Sequence, residues 1–214
     1  PLYVGAIGMI TCAWWLGSEG TLFALYITVF VCAAWRLLDR RQESRMSDVV
    51  SSTFTAVYVP FLASFVVLML AAWRDPWVFV VFELMVIAND TGGWAAGVLF
   101  GKHPMAPALS PKKSWEGFAG SALTAVGVGC VGLWLLGAAW WWGIVAGVSI
   151  AFVGTMGDLT ESLIKRESGL KDMSQILPGH GGVLDRVDAL LMSAPVAYFI
   201  FAWALPGISW ESSH

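Results

Sequence analysis

The densest concentration of reactive side chains runs from Gly157 to Asp188, where Asp158, Glu161, Ser162, Lys165, Arg166, Lys171, Asp172, His180, Asp185, Arg186 and Asp188 fall within 32 residues. An ordinary charged cytoplasmic loop could show the same density. If the stretch after Gly154 is helical, Asp158, Ser162 and Lys165 lie at i, i+4 and i+7 on one face, with Glu161 beside them. Gly169 would end that helix. A solvated helical surface would carry the same residues. Pro178-Gly179-His180-Gly181-Gly182 is too rich in glycine for regular structure and offers free backbone N–H groups to an anion, although a tight turn explains it nearly as well. Asp185 and Asp188, three apart at the start of the last apolar run, point two carboxylates at one place. Side by side they repel unless a cation lies between them, and hard oxygens of this kind suit Mg²⁺.

Two further groups lie upstream. Ser110-Pro111-Lys112-Lys113-Ser114-Trp115-Glu116 sets two adjacent ammonium groups beside hydroxyls at the mouth of an apolar run, where basic anchoring with an interfacial Trp is the plainer explanation. Asn89-Asp90-Thr91-Gly92-Gly93 interrupts another apolar run. Ionisable groups in such a place are costly and point first to function. A structural alternative is that the glycine pair breaks the helix and Asp90 caps its second half. Glu83, deeper in the same run, is a weaker candidate.

The elements that must position these groups are membrane helices. Of the 214 residues, 57% are hydrophobic and 13% charged, against about a quarter charged in soluble domains, and the mean hydropathy is +0.71. Thirteen Trp and 23 Gly fit the same class, since Trp collects at bilayer interfaces and Gly lets helices approach closely. The apolar runs are continuous rather than alternating, which argues against a β-barrel. The pattern predicts an all-α polytopic bundle of about seven spans, at 1–16, 21–38, 53–73, 76–99, 117–136, 138–157 and 189–206. Eleven of the twelve Lys and Arg fall on one side if these alternate, and only Arg74 on the other. The loops 39–52, 100–116 and 158–188 are therefore expected in the cytoplasm. The net charge of −3 and the lack of a long basic run speak against nucleic acid. Cys12, Cys32 and Cys130 lie singly in apolar stretches and suggest neither zinc nor a disulfide framework. With no repeat visible, one compact domain over 1–214 is the simplest expectation, with membrane helices in 1–88, a catalytic region at 89–188 and a last helix at 189–206.

The run Ser162-x-x-Lys165-Arg166, Lys171-Asp172 and Pro178-x-His180-Gly181-Gly182-x-x-Asp185-Arg186-x-Asp188 resembles the signature of the phosphatidate cytidylyltransferases, also called CDP-diacylglycerol synthases. Asp90-Thr91-Gly92, Phe100-Gly101-Lys102, Ser110 to Gly117, and Gly157-Asp158 with Glu161-Ser162 resemble other blocks of that family in the same order. The resemblance implies an integral membrane enzyme that joins CTP to phosphatidate and releases pyrophosphate, with its active site on the cytoplasmic face of a bacterial inner membrane. It implies Mg²⁺, as one cation or a pair, held by Asp158, Asp185 and Asp188 with Asp90. Lys165, Arg166 and Lys171 would serve catalysis, while Lys112, Lys113, Ser114, Ser162, His180, Gly181, Gly182 and Arg186 would bind substrate. The bilayer and a second copy of the chain are the remaining partners to consider. A CTP-dependent lipid or polyprenol kinase is the nearest competing reading. An ion-coupled transporter could use Asp90 and Glu83, but would not require the ordered cluster at 162–188. A CDP-alcohol phosphotransferase would show a DGxxAR run, which the chain lacks, and Gly101-Lys102-His103 does not fit a Walker A loop.

Overall fold

The computed structural model describes residues 1–38, 46–107, 110–168 and 184–205. They fall into two compact units, Pro1–Pro76 and Trp77–Pro206. The division precedes the fourth apolar run instead of cutting it at 88/89, because it follows whole helices where the sequence reading followed motifs.

The first unit contains α1 (Leu2–Trp15), α2 (Gly17–Leu38), α3 (Met46–Ala56) and α4 (Leu62–Trp73). Between α3 and α4, Val57–Phe61 forms one π-helical turn around Pro60, which has no N–H to give the regular ladder. The axis continues, so Asp48–Trp73 is one apolar stretch of 26 residues. Arg74 ends α4 in the left-handed conformation at φ 50°.

The second unit contains α5 (Pro76–Phe100), a ribbon of β1 (Pro104–Ala106) and β2 (Ser110–Ser114), α6 (Trp115–Leu135), α7 (Trp141–Ser168) and α8 (Leu184–Ala204). The ribbon is a departure from the polar loop expected over 100–116. Its strands are antiparallel, with Pro104 opposite Ser114 and Ala106 opposite Ser110. Prolines are tolerated there because a two-stranded ribbon has only edges. A second departure is α5 itself, which runs unbroken through Asn89 to Gly93, so Asp90 is not a helix cap. The glycines serve contact with α6 instead. A Cβ at Gly92 would come within 2.8 Å of the Gly120 carbonyl oxygen. Ser121 Oγ and Thr124 Oγ1 donate to the carbonyls of Asn89 and Ala88, each at 2.7 Å. Two hydroxyls bonding across at this height hold the helix together where its glycines alone would weaken it.

Apart from the ribbon and short turns, the described residues are helical, as an apolar membrane composition dictates. Among the described residues five helices are long and apolar enough to cross a membrane: Gly17–Leu38, Asp48–Trp73, Pro76–Phe100, Trp115–Leu135 and Trp141–Thr160. The first and last of the seven expected spans correspond to shorter apolar helices, Leu2–Trp15 and Ala189–Ala204. Large apolar side chains such as Trp94, Trp134 and Trp203 stand exposed on the helix surfaces, as they do where lipid rather than water is the surrounding medium.

Candidate active site

Within the second unit, α5, the ribbon, α6 and α7 enclose a cavity of about 450 Å³. Asn89, Asp90, Gly93, Trp94 and Gly97 of α5 form one wall, and Gly117, Phe118 and Ser121 of α6 face it. Thr155 and Asp158 close it from α7, while Met105, Lys113 and Ser114 reach it from the ribbon. The glycines line it because the two helices are tightly apposed just beside it, and a side chain at Gly93 would collide with Ser121.

The ribbon is held to the N-terminus of α6 by the residues that connect them. Ser114 is extended, at φ −122° and ψ 156°, and its Oγ accepts the Gly117 N–H at 3.1 Å, so it caps α6. Trp115 N–H donates to the His103 carbonyl at 3.0 Å. Glu116, in the first turn, accepts the backbone N–H groups of Lys102 and His103 at 3.2 Å through one oxygen. Its other oxygen meets the His103 ring at 2.6 Å. A carboxylate at this end of the helix also complements the helix dipole. The result fixes β2 so that Lys113 Nζ donates to Asp158 Oδ2 of α7, an ion pair at the cavity. Asp90 is open to the cavity, and its Oδ1 accepts the Asn89 amide N–H at 3.1 Å.

Of the residues singled out by sequence, Asp90, Lys113, Ser114 and Asp158 therefore converge. Helix α7 does continue through Asp158 and Ser162 to Ser168, so the proposed i, i+4, i+7 face exists in the backbone. Ser162 Oγ is turned back onto its own helix, donating to the Asp158 carbonyl at 2.8 Å. Lys112 lies on β2, Lys165 and Arg166 on the last turns of α7, and Asp185, Arg186 and Asp188 on the first two turns of α8. Their side chains lie outside what the structure describes, as do Lys171, His180, Gly181 and Gly182 altogether. Among the described residues no group of three or more His, Cys, Asp or Glu side chains comes together. Asn89, Thr155, Met105 and Phe118 were not among the sequence candidates. Only Asn89 offered a signal, its position next to Asp90.

Apolar helices surrounding a cavity lined by an ammonium group, two carboxylates and a helix N-terminus define a class: a helical membrane protein equipped for an anionic substrate. The comparisons narrow it. Residues 2–204 match the model of the cytidylyltransferase family, and the chain belongs to that family. It is 41% identical to the phosphatidate cytidylyltransferase of Mycobacterium bovis, over 94% of this chain and 70% of that protein. It is likewise 41% identical to the phosphatidate cytidylyltransferase of Mycobacterium tuberculosis, over 94% of this chain and 65% of the relative. Phosphatidate cytidylyltransferase 4 of Arabidopsis thaliana, a chloroplastic protein, is 33% identical over 92% of this chain and 58% of its own length. The chain thus spans about two thirds of the length of the mycobacterial relatives.

Proposed function

We propose that this chain is a phosphatidate cytidylyltransferase: it joins CTP and phosphatidate to give CDP-diacylglycerol and pyrophosphate. Family membership and the relatives' shared activity support that reading. The observation that carries it is the convergence of Lys113, Ser114, Asp90 and Asp158, from three segments of the chain, on one cavity of an apolar helical unit.

In the reaction a phosphate oxygen of phosphatidate forms a bond to the α-phosphorus of CTP. The bond from that phosphorus to the bridging oxygen breaks, and its electron pair leaves with pyrophosphate. A phosphate monoester has a second pKa of about 6, so the nucleophile is largely dianionic at neutral pH and needs no strong base. What the protein must supply is alignment and compensation of negative charge. Lys113 supplies a cation at the cavity, and the dipole of α6 adds partial positive charge at its N-terminal end. The Lys113–Asp158 pair holds both charges in place before substrate arrives. Substrate phosphate would then compete with Asp158 for the ammonium group. Lys112, Ser162, Lys165, Arg166, Lys171, His180, Gly181, Gly182 and Arg186 complete the substrate contacts in this reading.

The exposed Asp90 and the partly buried Asp158 present hard oxygen donors at one cavity, which is the donor chemistry Mg²⁺ takes. In this reading Asp90, Asp158, Asp185 and Asp188 would hold Mg²⁺, which would compensate triphosphate charge. The same reading has seven spans, the charged loops in the cytoplasm, the inner membrane of a bacterial cell as its location and a homodimer as its assembly. Cysteines placed at Gln42, Ala108 and Ser174 should all react from the cytoplasmic side alone; labelling of any of them from outside would break the sidedness.

The activity is tested with purified protein in detergent, given phosphatidate and CTP labelled separately in the base and in the γ-phosphate. Base label is expected in the lipid and γ label in pyrophosphate. Transfer of γ label to the lipid would instead establish a CTP-dependent kinase.

A further inference from the structure

Asn89 is buried at 4% exposure, one residue from a carboxylate that opens onto the cavity. Its Nδ2 donates to Asp90 Oδ1 at 3.1 Å, and its backbone carbonyl accepts Ser121 Oγ at 2.7 Å. Its Oδ1 has no hydrogen-bond partner among the described residues, and neither has the Oγ of the fully buried Ser193 on α8. Both side chains stand over Gly154 of α7, where a Cβ would lie 3.2 Å from Asn89 Nδ2 and 3.8 Å from Ser193 Oγ.

A buried amide with one half unsatisfied is costly, and leucine, of similar size, would fill the space without that cost. The half that is satisfied is the donor to Asp90. A carboxylate turns easily about its last torsion. One fixed N–H on Oδ1 selects an orientation and leaves Oδ2 available. Orienting partners of this kind commonly decide how well a carboxylate binds a metal ion.

We propose that Asn89 is a positioning residue, whose amide N–H, seated over Gly154, orients the Asp90 carboxylate toward a divalent cation in the cavity. The inference rests on the reading of Asp90 as a cation ligand and adds the group that aims it. It also assigns the absence of a side chain at Gly154 a purpose, since an added methyl group there must displace the amide by a few tenths of an ångström.

The test is Mn²⁺ binding to the full chain in detergent, followed by electron paramagnetic resonance, together with the melting temperature of each variant. Asn89→Leu should bind Mn²⁺ roughly tenfold more weakly while melting no lower than the parent, because the orphan acceptor has gone. A merely structural role predicts the reverse, a lower melting temperature with unchanged Mn²⁺ affinity. Gly154→Ala keeps the amide but moves it, and should weaken Mn²⁺ binding in the same direction by a smaller factor. Parent-like affinity in Asn89→Leu, with clear loss in Asp90→Asn, would overturn the positioning role alone. Parent-like affinity in Asp90→Asn would remove Asp90 from the cation site and the inference with it. Should Asn89→Leu not fold, Gly154→Ala decides, and unchanged affinity there overturns the proposal.

Discussion

In the first unit the hydroxyls of Thr11, Thr21, Thr28, Thr55 and Ser64 each donate to a carbonyl three or four residues back on their own helix. In the second unit Ser121 and Thr124 of α6 donate to carbonyls of α5, Thr124 also lying within hydrogen-bond distance of the Gly120 and Ser121 carbonyls of its own helix. Farther along that unit, on α7, Thr160 and Ser162 again bond back to their own helix. A hydroxyl that bonds back satisfies itself whatever its neighbours do, which suits a helix surrounded by lipid. One that bonds across fixes the register of two helices. The cross-helix bonds therefore occur where register matters, beside the cavity that needs Asp90 of α5 and Lys113 ahead of α6 at set positions.

The strongest break of this comparison comes from the charged pair. Asp158→Ala and Lys113→Ala should each lower cytidylyl transfer by a factor on the order of 10² to 10³, with helix content unchanged. The double variant should lose little more than the worse single one, because groups acting as a unit are non-additive. Turnover of the three proteins at saturating CTP checks this. Independent, multiplying losses would separate Lys113 and Asp158 into unrelated roles.

Next in size is the packing of α5 on α6. Gly92→Ala puts a methyl group within 2.8 Å of the Gly120 carbonyl oxygen and against Thr124, so a loss of about 1–3 kcal/mol is expected from overpacking. Gly8 of α1 has nothing within 4 Å of such a methyl group. Gly8→Ala should be neutral, or stabilising by up to about 1 kcal/mol through helix propensity. Thermal unfolding in one detergent compares the two, and equal effects would mean that the close approach at Gly92 is not a constraint.

Much of this was legible in the sequence. Continuous apolar runs gave the helices, since in lipid every backbone group must be satisfied within its own segment, and the seven expected runs all coincide with helical segments. Asp158, Lys113, Ser114 and Asp90 could be named because charged and hydroxyl groups stand out against an apolar background. Three things could not be read. The glycines at 92 and 93 looked like a helix break, because their purpose is a contact with Gly120 and Ser121 some thirty residues away. The ribbon escaped notice because β1 is only three residues long and contains a proline. Asn89 and Thr155 look like ordinary small polar residues until α5 and α7 are placed around one cavity.

Gly97 separates a glycine kept for packing from one kept for substrate. A Cβ there meets nothing closer than Ser114 Oγ at 3.7 Å and Gly117 Cα at 3.9 Å, ordinary contacts, so Gly97→Ala should fold and melt like the parent. It nevertheless adds a methyl group to the cavity wall, which should raise KM for one substrate by at most about tenfold. Separate titrations with CTP and phosphatidate would say which substrate passes Gly97. Unchanged KM for both would mean that this wall is not in contact with either.

The smallest effects return to the hydroxyls and test the comparison directly. Thr28 is buried at 5% exposure, and its side chain lies against Gly5 of α1, so Val, of the same shape, preserves the contact. It removes only a bond to Ala24 on the same helix, 2.6 Å long, and the carbonyl retains its place in the helical ladder. Thr28→Val should therefore change stability by no more than about 0.6 kcal/mol, the average found for hydrogen bonds between membrane helices, and leave turnover alone. Thr124→Val has the same chemistry and a different consequence. It removes the 2.7 Å bond to Ala88 that ties α6 to α5 beside the cavity, so its cost should approach the upper end for such bonds, about 1.7 kcal/mol, with a measurable fall in turnover. Both variants lose a bond back to their own helix, and Thr124→Val alone also loses one that crosses between helices. Equal changes in melting temperature and activity would show that the direction of a hydroxyl carries no information about function in this fold.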